Sequence, residues 1–274
     1  MKLCLPSQAL LCRPMLISAL IMIWFLSAPG LAQESPPGGA TISTAVERRS
    51  HIKVDVFDPS SGRQLYTGGE LIVELPDGTV NKQTWYSASS SQQIIQKEEI
   101  SFHMSDLRVK QYRFENSESG ELVESNVAEG DKLVIKHRAD QNAKLTEKSW
   151  AWMSDAVVGK TLVHFMEKRW QDLNKDQKLK VHLLVPSKAD AFVFRMERVK
   201  NARSGQEGAT VIKMEPDSWL VRQFVPLMEF WFRGQPPVIE EFTGPSPVDS
   251  GAWKGKLLRV KFTWTPVPEK FPPH

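Results

Sequence analysis

The chain has 274 residues and carries 35 Lys+Arg against 32 Asp+Glu, a formal charge of +3. A nearly neutral chain has no electrostatic footprint for nucleic acid. With 41% hydrophobic and 24% charged residues it sits near the soluble globular average, which excludes a disordered, collagenous or multi-span membrane chain.

The N-terminus has the three-part layout of a secretory signal peptide. Lys2 and Arg13 supply the positive leader, and Pro14 to Ser27 is a continuous apolar run. Gly30 and Ala32 are the small residues that a signal peptidase reads, so cleavage is expected between Ala32 and Gln33. The apolar run is short of the roughly 20 residues that span a bilayer, so no transmembrane span is expected after cleavage. An uncleaved N-terminal anchor is the alternative, since Leu3, Leu5, Ala9, Leu10 and Leu11 extend the apolar character upstream. Cys4 and Cys12 are the only cysteines, and both lie in the leader. The remaining chain therefore forms no disulfide and no thiolate metal site.

Residues 33–43 read as a Pro/Gly/Ser linker, 44–265 as one β domain, and 266–274 as a Pro-rich tail. Within the domain most segments alternate at period two. Ile52, Val54 and Val56 alternate with Lys53 and Asp55; Leu71, Val73 and Leu75 alternate with Glu70, Ile72 and Glu74. Pro76-Asp77-Gly78 is a hairpin turn signal, with Pro presetting φ and Gly supplying φ > 0. Val80–Tyr86, Ile94–Met104, Val109–Glu115, Leu122–Val127 and Leu133–Arg138 follow as strands, the last after a Glu129-Gly130-Asp131 turn. Further strands are expected at Leu179–Val185, Phe192–Met196, Val211–Glu215, Leu227–Arg233, Val238–Phe242 and Leu257–Trp264. Such a run of short strands and turns predicts an antiparallel sheet or barrel.

One segment breaks the pattern. Val158, Leu162, Phe165, Met166, Arg169 and Leu173 fall on one helical face, predicting an amphipathic helix over 156–173 with Ser154 or Asp155 as its cap. A shorter helical turn is expected over 217–224. The fold class is therefore mainly β: a strongly curved antiparallel sheet, a half-barrel or open barrel, wrapped around one amphipathic α-helix.

Catalytic and cofactor motifs are absent from the sequence: no G-x-S-x-G, no Walker loop, no H-E-x-x-H and no G-x-G-x-x-G. No cofactor, metal or catalytic residue is assigned. His164 and Glu167, three apart, read as a surface pair on the helix. Glu98-Glu99 and Glu240-Glu241 lie in strands and point to opposite faces, so neither pair forms an acid–base dyad by itself. Carboxylates from different strands remain free to converge.

Aromatics stand out. Beyond the leader the chain holds eight Trp, twelve Phe and three Tyr. Trp150/Trp152 and Phe192/Phe194 share a strand face by spacing. Such ladders either fill a core or line a dry cavity for an acyl chain, with few polar anchors. Trp150, Trp152, Phe192 and Phe194 are the candidate ligand-binding residues, with Arg195 as a headgroup contact; the gap they line is expected to hold no buried charge. Arg198, Lys200 and Arg203 extend the basic run near Arg195, which reads first as a solvated strand edge and second as a phosphate or lipid-headgroup site.

Several stretches resemble a known family: Gln111-Tyr112-Arg113-Phe114-Glu115-Asn116 leading to Gly120, Trp170 to Leu173, Val185-Pro186, Phe192-Val193-Phe194-Arg195-Met196, and Glu240 to Pro247. Together they are similar to the domain-of-unknown-function family numbered 3108, periplasmic proteins of Gram-negative bacteria, over about Leu65 to Val248. The resemblance implies a likeness to lipoprotein-carrier half-barrels that bind acyl chains in the periplasm. It brings no site residue, and the chain lacks the lipid-anchor Cys of a lipidated carrier. The expected role is non-enzymatic binding of an apolar or amphipathic envelope ligand, such as a lipid. The alternatives are an envelope structural protein with a filled core and a protein partner, and a hydrolase of envelope polymers. If the leader is cleaved as read, N-terminal sequencing of protein from the envelope fraction returns Gln33. A mature species that retains Met1 and sediments with membranes means an anchor instead.

Overall fold

The computed structural model describes residues 47–128, 132–199 and 208–268. The leader, its Ala32/Gln33 cleavage site, the 33–43 linker, the turn at 129–131, Lys200, Arg203 and the end of the Pro-rich tail lie outside the described residues. Those described belong to one compact unit, Thr44–His274.

Fifteen strands make one sheet. In chain order they are β1 Arg48–Phe57, β2 Gln64–Glu74, β3 Thr79–Ala88, β4 Ile94–His103, β5 Val109–Asn116, β6 Leu122–Ala128, β7 Lys132–Arg138, β8 Thr146–Ala151, β9 Ala156–Val158, β10 Leu179–Val185, β11 Asp190–Arg198, β12 Thr210–Pro216, β13 Met228–Arg233, β14 Val238–Pro245 and β15 Leu257–Thr265. The spatial order is β8-β7-β6-β5-β4-β3-β2-β1-β15-β14-β13-β12-β11-β10-β9. Two meanders, β1 to β8 and β9 to β15, thus join where β1 pairs antiparallel with β15, Ile52 opposite Trp264 and Val54 opposite Phe262. Only the short β9 runs parallel to its neighbour, with Val157 beside Leu183.

The topology demands curvature. Fourteen strand spacings laid flat would span roughly 67 Å. The two edge strands β8 and β9 are consecutive in sequence, and the link from Ala151 to Ala156 reaches at most about 18 Å when fully extended. The sheet must therefore curl until its edges approach. Contacts across the curl agree. The turn at Pro186–Lys188 lies against β6 and β7. The segment between β14 and β15 reaches β4 and β5, where Gln96 Nε2 donates to the Pro247 carbonyl (2.8 Å) and accepts on Oε1 from the Asp249 amide (2.9 Å). Asn116 Nδ2 donates to the Asp249 carbonyl (2.5 Å), and Val248 is completely buried.

The turns follow the expected chemistry. Gly78 adopts φ +81°, and the Leu75 amide and Thr79 carbonyl close the hairpin at 2.8 Å. In β2 the apolar alternation misleads: Glu70 and Ile72 are buried, whereas Leu71 and Val73 are half-buried on the other face.

The expected helix over 156–173 is corrected. Ala156–Val158 is the edge strand β9, favoured by its two β-branched valines. Asp155 caps no helix; its carboxylate meets His182 Nδ1 at 2.8 Å. A 3-10 turn at Gly159–Thr161 follows, closed by Thr161 Oγ1 donating to the Val158 carbonyl (3.0 Å). Two short helices come next, α1 Leu162–Lys168 and α2 Trp170–Asn174, broken at Arg169 (φ −98°, ψ 17°). The break leaves Arg169 exposed, off the apolar stripe, and buries Trp170 edge-on against Phe232 at 5.1 Å. Leu162, Phe165, Met166 and Leu173 are buried in the same cluster as the strand residues. The second expected turn is present as α3, Trp219–Arg222, with Ser218 at the cap position but no side-chain cap bond.

Leu162 is 5% exposed. Leu162→Ala should lower stability by roughly 2–5 kcal/mol in urea unfolding, and a change below about 0.5 kcal/mol would show that α1 contributes nothing to the core.

Candidate functional site: a two-faced inner cavity

The inner rows of the sheet follow from the register. Across β15, β1, β2, β3, β4 and β5, the residues Trp264, Ile52, Glu70, Thr84, Glu98 and Phe114 stand side by side. One row along, Ile72, Lys82, Ile100 and Tyr112 do the same. Glu70 and Lys82 are thus diagonal neighbours on one face, as are Glu98 and Tyr112, within reach of long side chains.

A buried polar cluster results. Lys82 Nζ lies 2.8 Å from Glu70 Oε1, with both side chains under a tenth exposed. Thr84 Oγ1 donates to Glu70 Oε2 (3.2 Å), and Lys82 Nζ donates to the Lys160 carbonyl (3.2 Å). Lys160, brought in by the Gly159–Thr161 turn, places Nζ 3.3 Å from Glu98 Oε2 and 5.5 Å from the Tyr86 ring centre. Burial pushes the Glu70 carboxyl up, but the Lys82 and Lys160 charges outweigh it and leave it below the usual carboxylate range. Burial likewise pulls Lys160 down, and the charges of Glu98, Tyr86 and Glu70 more than reverse this, holding it above the ordinary lysine value. Tyr112 is held well above the ordinary phenol value by burial and then by Glu98. Glu70 is therefore held charged by its lysine neighbours, and Glu98 is paired with Lys160.

This cluster forms one wall of a cavity of about 300 Å³. Glu70, Lys82, Glu98 and Lys160 stand on that side; Met228, Phe230, Phe242, Val260 and Phe262, from β13 to β15, make an apolar wall. Phe230 and Phe242 pack ring to ring at 4.9 Å. Gly159 sits exposed on the lining, and a Cβ built there would meet nothing within 4 Å. A larger groove of about 1250 Å³ runs elsewhere, past Trp85, Ser87 and Ser89–Gln92 to Asn116 and Arg138. It is a more open, serine-rich surface whose large apolar side chains are Trp85, Ile94, Ile95 and Leu122, with one aromatic ring among them. The smaller cavity is the better candidate because it joins buried charge to a wall of aromatic side chains.

The residues singled out in the sequence lie elsewhere. Trp150 and Trp152 meet edge-on at 5.8 Å and pack half-buried against the core, Trp150 on β8 and Trp152 just beyond it. Phe194 is buried, while Phe192, two residues along the same strand, is 36% exposed. Arg195 is engaged by carboxylates: its Nη2 donates to Glu215 Oε1 (2.6 Å) and its Nε lies 3.4 Å from Asp217 Oδ1. None of the five lines the inner cavity. The expectation of a gap without buried charge does not describe this cavity, since Glu70, Lys82, Glu98, Lys160 and Glu167 all line it. His164 is not a surface histidine; its side chain is 11% exposed, its Nδ1 meets Glu167 Oε2 at 3.0 Å, and its ring packs 5.4 Å from Phe102. Glu98 and Glu99 do face opposite ways, Glu98 buried and Glu99 exposed. Among the described residues no group of three or more His, Cys, Asp and Glu could hold a metal ion. No helix among them is long and apolar enough to cross a membrane.

No family model and no curated protein matches the chain, so neither comparison supports family 3108 in particular. Among solved structures the chain is similar to a β-barrel-like protein of domain of unknown function DUF1849 from Brucella abortus, at 12% identity and a TM-score of 0.44, covering 78% of this chain and 94% of that one.

The buried pair makes a sharp prediction. Lys82→Met strands a buried carboxylate and should cost about 3–5 kcal/mol in urea unfolding, whereas Glu70→Met/Lys82→Met should cost less than either single change. Glu70, lowered, contributes stability above the carboxylate range that is lost as pH falls through it; Lys160, raised, contributes stability that is lost as pH climbs past the lysine range. The wild-type Tm should therefore plateau between about pH 5 and pH 10 and fall on both sides. A single Lys82→Met cost under about 0.5 kcal/mol would mean the pair is hydrated rather than buried.

Proposed function

We propose that this protein binds, without chemical turnover, a small amphipathic ligand of the cell envelope, a compound with one short acyl chain, in the inner cavity. The observation that carries this reading is the cavity's division into an aromatic wall and a charged wall. A tail laid against Phe230, Phe242 and Phe262 leaves its polar end at Lys82, Lys160, Glu70 and Glu98. The volume of about 300 Å³ lies at the lower end of ligand pockets, roughly 300–1,000 Å³, and suits a single chain rather than a two-tailed lipid. The signal-peptide layout supports a periplasmic location, and the family resemblance drawn from the sequence points the same way. A curled sheet enclosing the helical segment 159–174 is the architecture this reading adopts.

The test is displacement of a fluorescent fatty-acid probe by decanoate, decanol and a lysophospholipid. Wild type should bind the probe saturably. Gly159→Phe introduces a ring where a Cβ meets no neighbour, so it should obstruct the cavity and weaken binding at least about tenfold, a loss of about 1.4 kcal/mol, with an unchanged circular dichroism spectrum. Absence of saturable binding across all three ligands removes this reading in favour of an interaction protein with a filled core. Undiminished binding by Gly159→Phe places the ligand elsewhere.

A further inference from the structure

Large apolar side chains are exposed in one place above all. Trp219 (70%), Leu220 (53%), Phe224 (80%) and Leu227 (43%) all fall in the connection between β12 and β13, residues 217–227. Phe192, 36% exposed, adjoins them, because the Asp217 amide donates to the Val193 carbonyl beside it (2.8 Å). The segment is anchored from within by half-buried Val221 and Val225, the latter packed on the core.

We infer that this segment docks the protein onto an anionic lipid bilayer. Three observations select a bilayer over a protein partner. First, the exposed apolar tip is short: α3 has four residues, and Leu220 and Phe224 supply a single pair one turn apart beside Trp219. A groove reads anchors along several turns of a helix, whereas a fluid interface accepts a short tip. Second, the turn is internally bonded beyond its first residues: the Arg222, Gln223, Phe224 and Val225 amides donate to the Ser218, Leu220 and Val221 carbonyls at 3.0–3.3 Å. Amides bonded within the turn lower the cost of bringing it into an apolar interface. Third, the base of the tip is cationic. Lys180, Arg195 and Arg222 meet only two carboxylates there, Asp217 and Glu215, in pairs of 2.6–3.6 Å. One positive charge is left over beside an aromatic-rich tip, the arrangement that suits anionic headgroups. The docking stands independently of whether the inner cavity binds a ligand.

Flotation of the Thr44–His274 unit, which carries all fifteen strands, tests it with vesicles of phosphatidylethanolamine and phosphatidylglycerol (3:1). Wild type should float with the vesicles. Trp219→Ser/Phe224→Ser should lose at least about tenfold in partitioning, while Leu145→Ser, an exposed residue elsewhere (54%), should change nothing. Arg222→Glu should weaken binding to the anionic vesicles more than to phosphatidylcholine vesicles. Quenching by brominated lipid offers a readout that removes little apolar surface: it should be greater in wild type than in Trp219→Phe. The inference is overturned if wild type does not float, if the double variant floats as well as wild type, or if Leu145→Ser loses as much. It is also overturned if the double variant merely converts a dimer to a monomer in sedimentation, which would make the tip a contact between copies of this chain.

Discussion

The short link between β8 and β9 constrains everything else in this structure. Trp152 to Asp155 joins opposite edges of a fifteen-strand sheet, so a flat sheet is geometrically excluded. Curling gives the sheet an inside. It also brings loops of one meander onto strands of the other, as the Gln96 and Asn116 bonds to Pro247 and Asp249 record. Those bonds satisfy side chains that would otherwise be buried and unpaired, at a cost of about 1–3 kcal/mol each. Curvature and polar satisfaction are therefore one requirement: opening the sheet would orphan the amides, and removing the amides would loosen the curl.

The two meanders differ in what they put inside. Buried polar side chains on strands concentrate in β2 to β6: Glu70, Lys82, Thr84, Gln96, Glu98, Asn116 and Ser125 among them. The buried faces of β13 and β15 hold Met228, Phe230, Phe232, Leu258 and Val260. Between them the β1–β15 seam is apolar, with Ile52, Val54 and Val56 at 0–2% exposure. An isolated charge on the first meander's inner face would be untenable, since an unpaired buried ion costs several kcal/mol. Two lysines and two glutamates side by side cancel locally, and Lys160 arrives from a different part of the chain to complete the balance.

The sequence made most of the strands legible and the interior much less so. Period two located β1, β3 to β7 and β10 to β15, because half-buried strands repeat at that period. It put Trp150 on a strand but did not delimit β8, whose Thr-Glu-Lys-Ser start is polar and exposed, and it read β9 as helix because Val158 sits at a helical spacing from Leu162. In β2 it favoured Leu71 and Val73 over Glu70 and Ile72, since alternation identifies two faces without saying which is buried. The charged wall was hidden for the same reason. Glu70, Lys82 and Glu98 look like ordinary outward residues of three strands, and only the register across β2, β3 and β4 places them together. The aromatic pairs Trp150/Trp152 and Phe192/Phe194 were conspicuous by spacing, yet spacing along one strand says nothing about what the opposite wall supplies.

That asymmetry bears on how an amphipathic guest would be oriented. An apolar barrel interior gives a ligand no preferred direction, because the hydrophobic effect is non-directional. Here orientation has a source: the charges stand on β2 to β4 and on the Gly159–Thr161 turn, and the rings on β13 to β15. The charged groups of the cluster are paired with one another, so an incoming polar end need not neutralise a bare ion. Affinity would then rest on the apolar tail and direction on the polar end. A site built this way tolerates variation in headgroup more readily than variation in tail length, because the charge cluster is balanced without the ligand while the aromatic wall has a fixed extent.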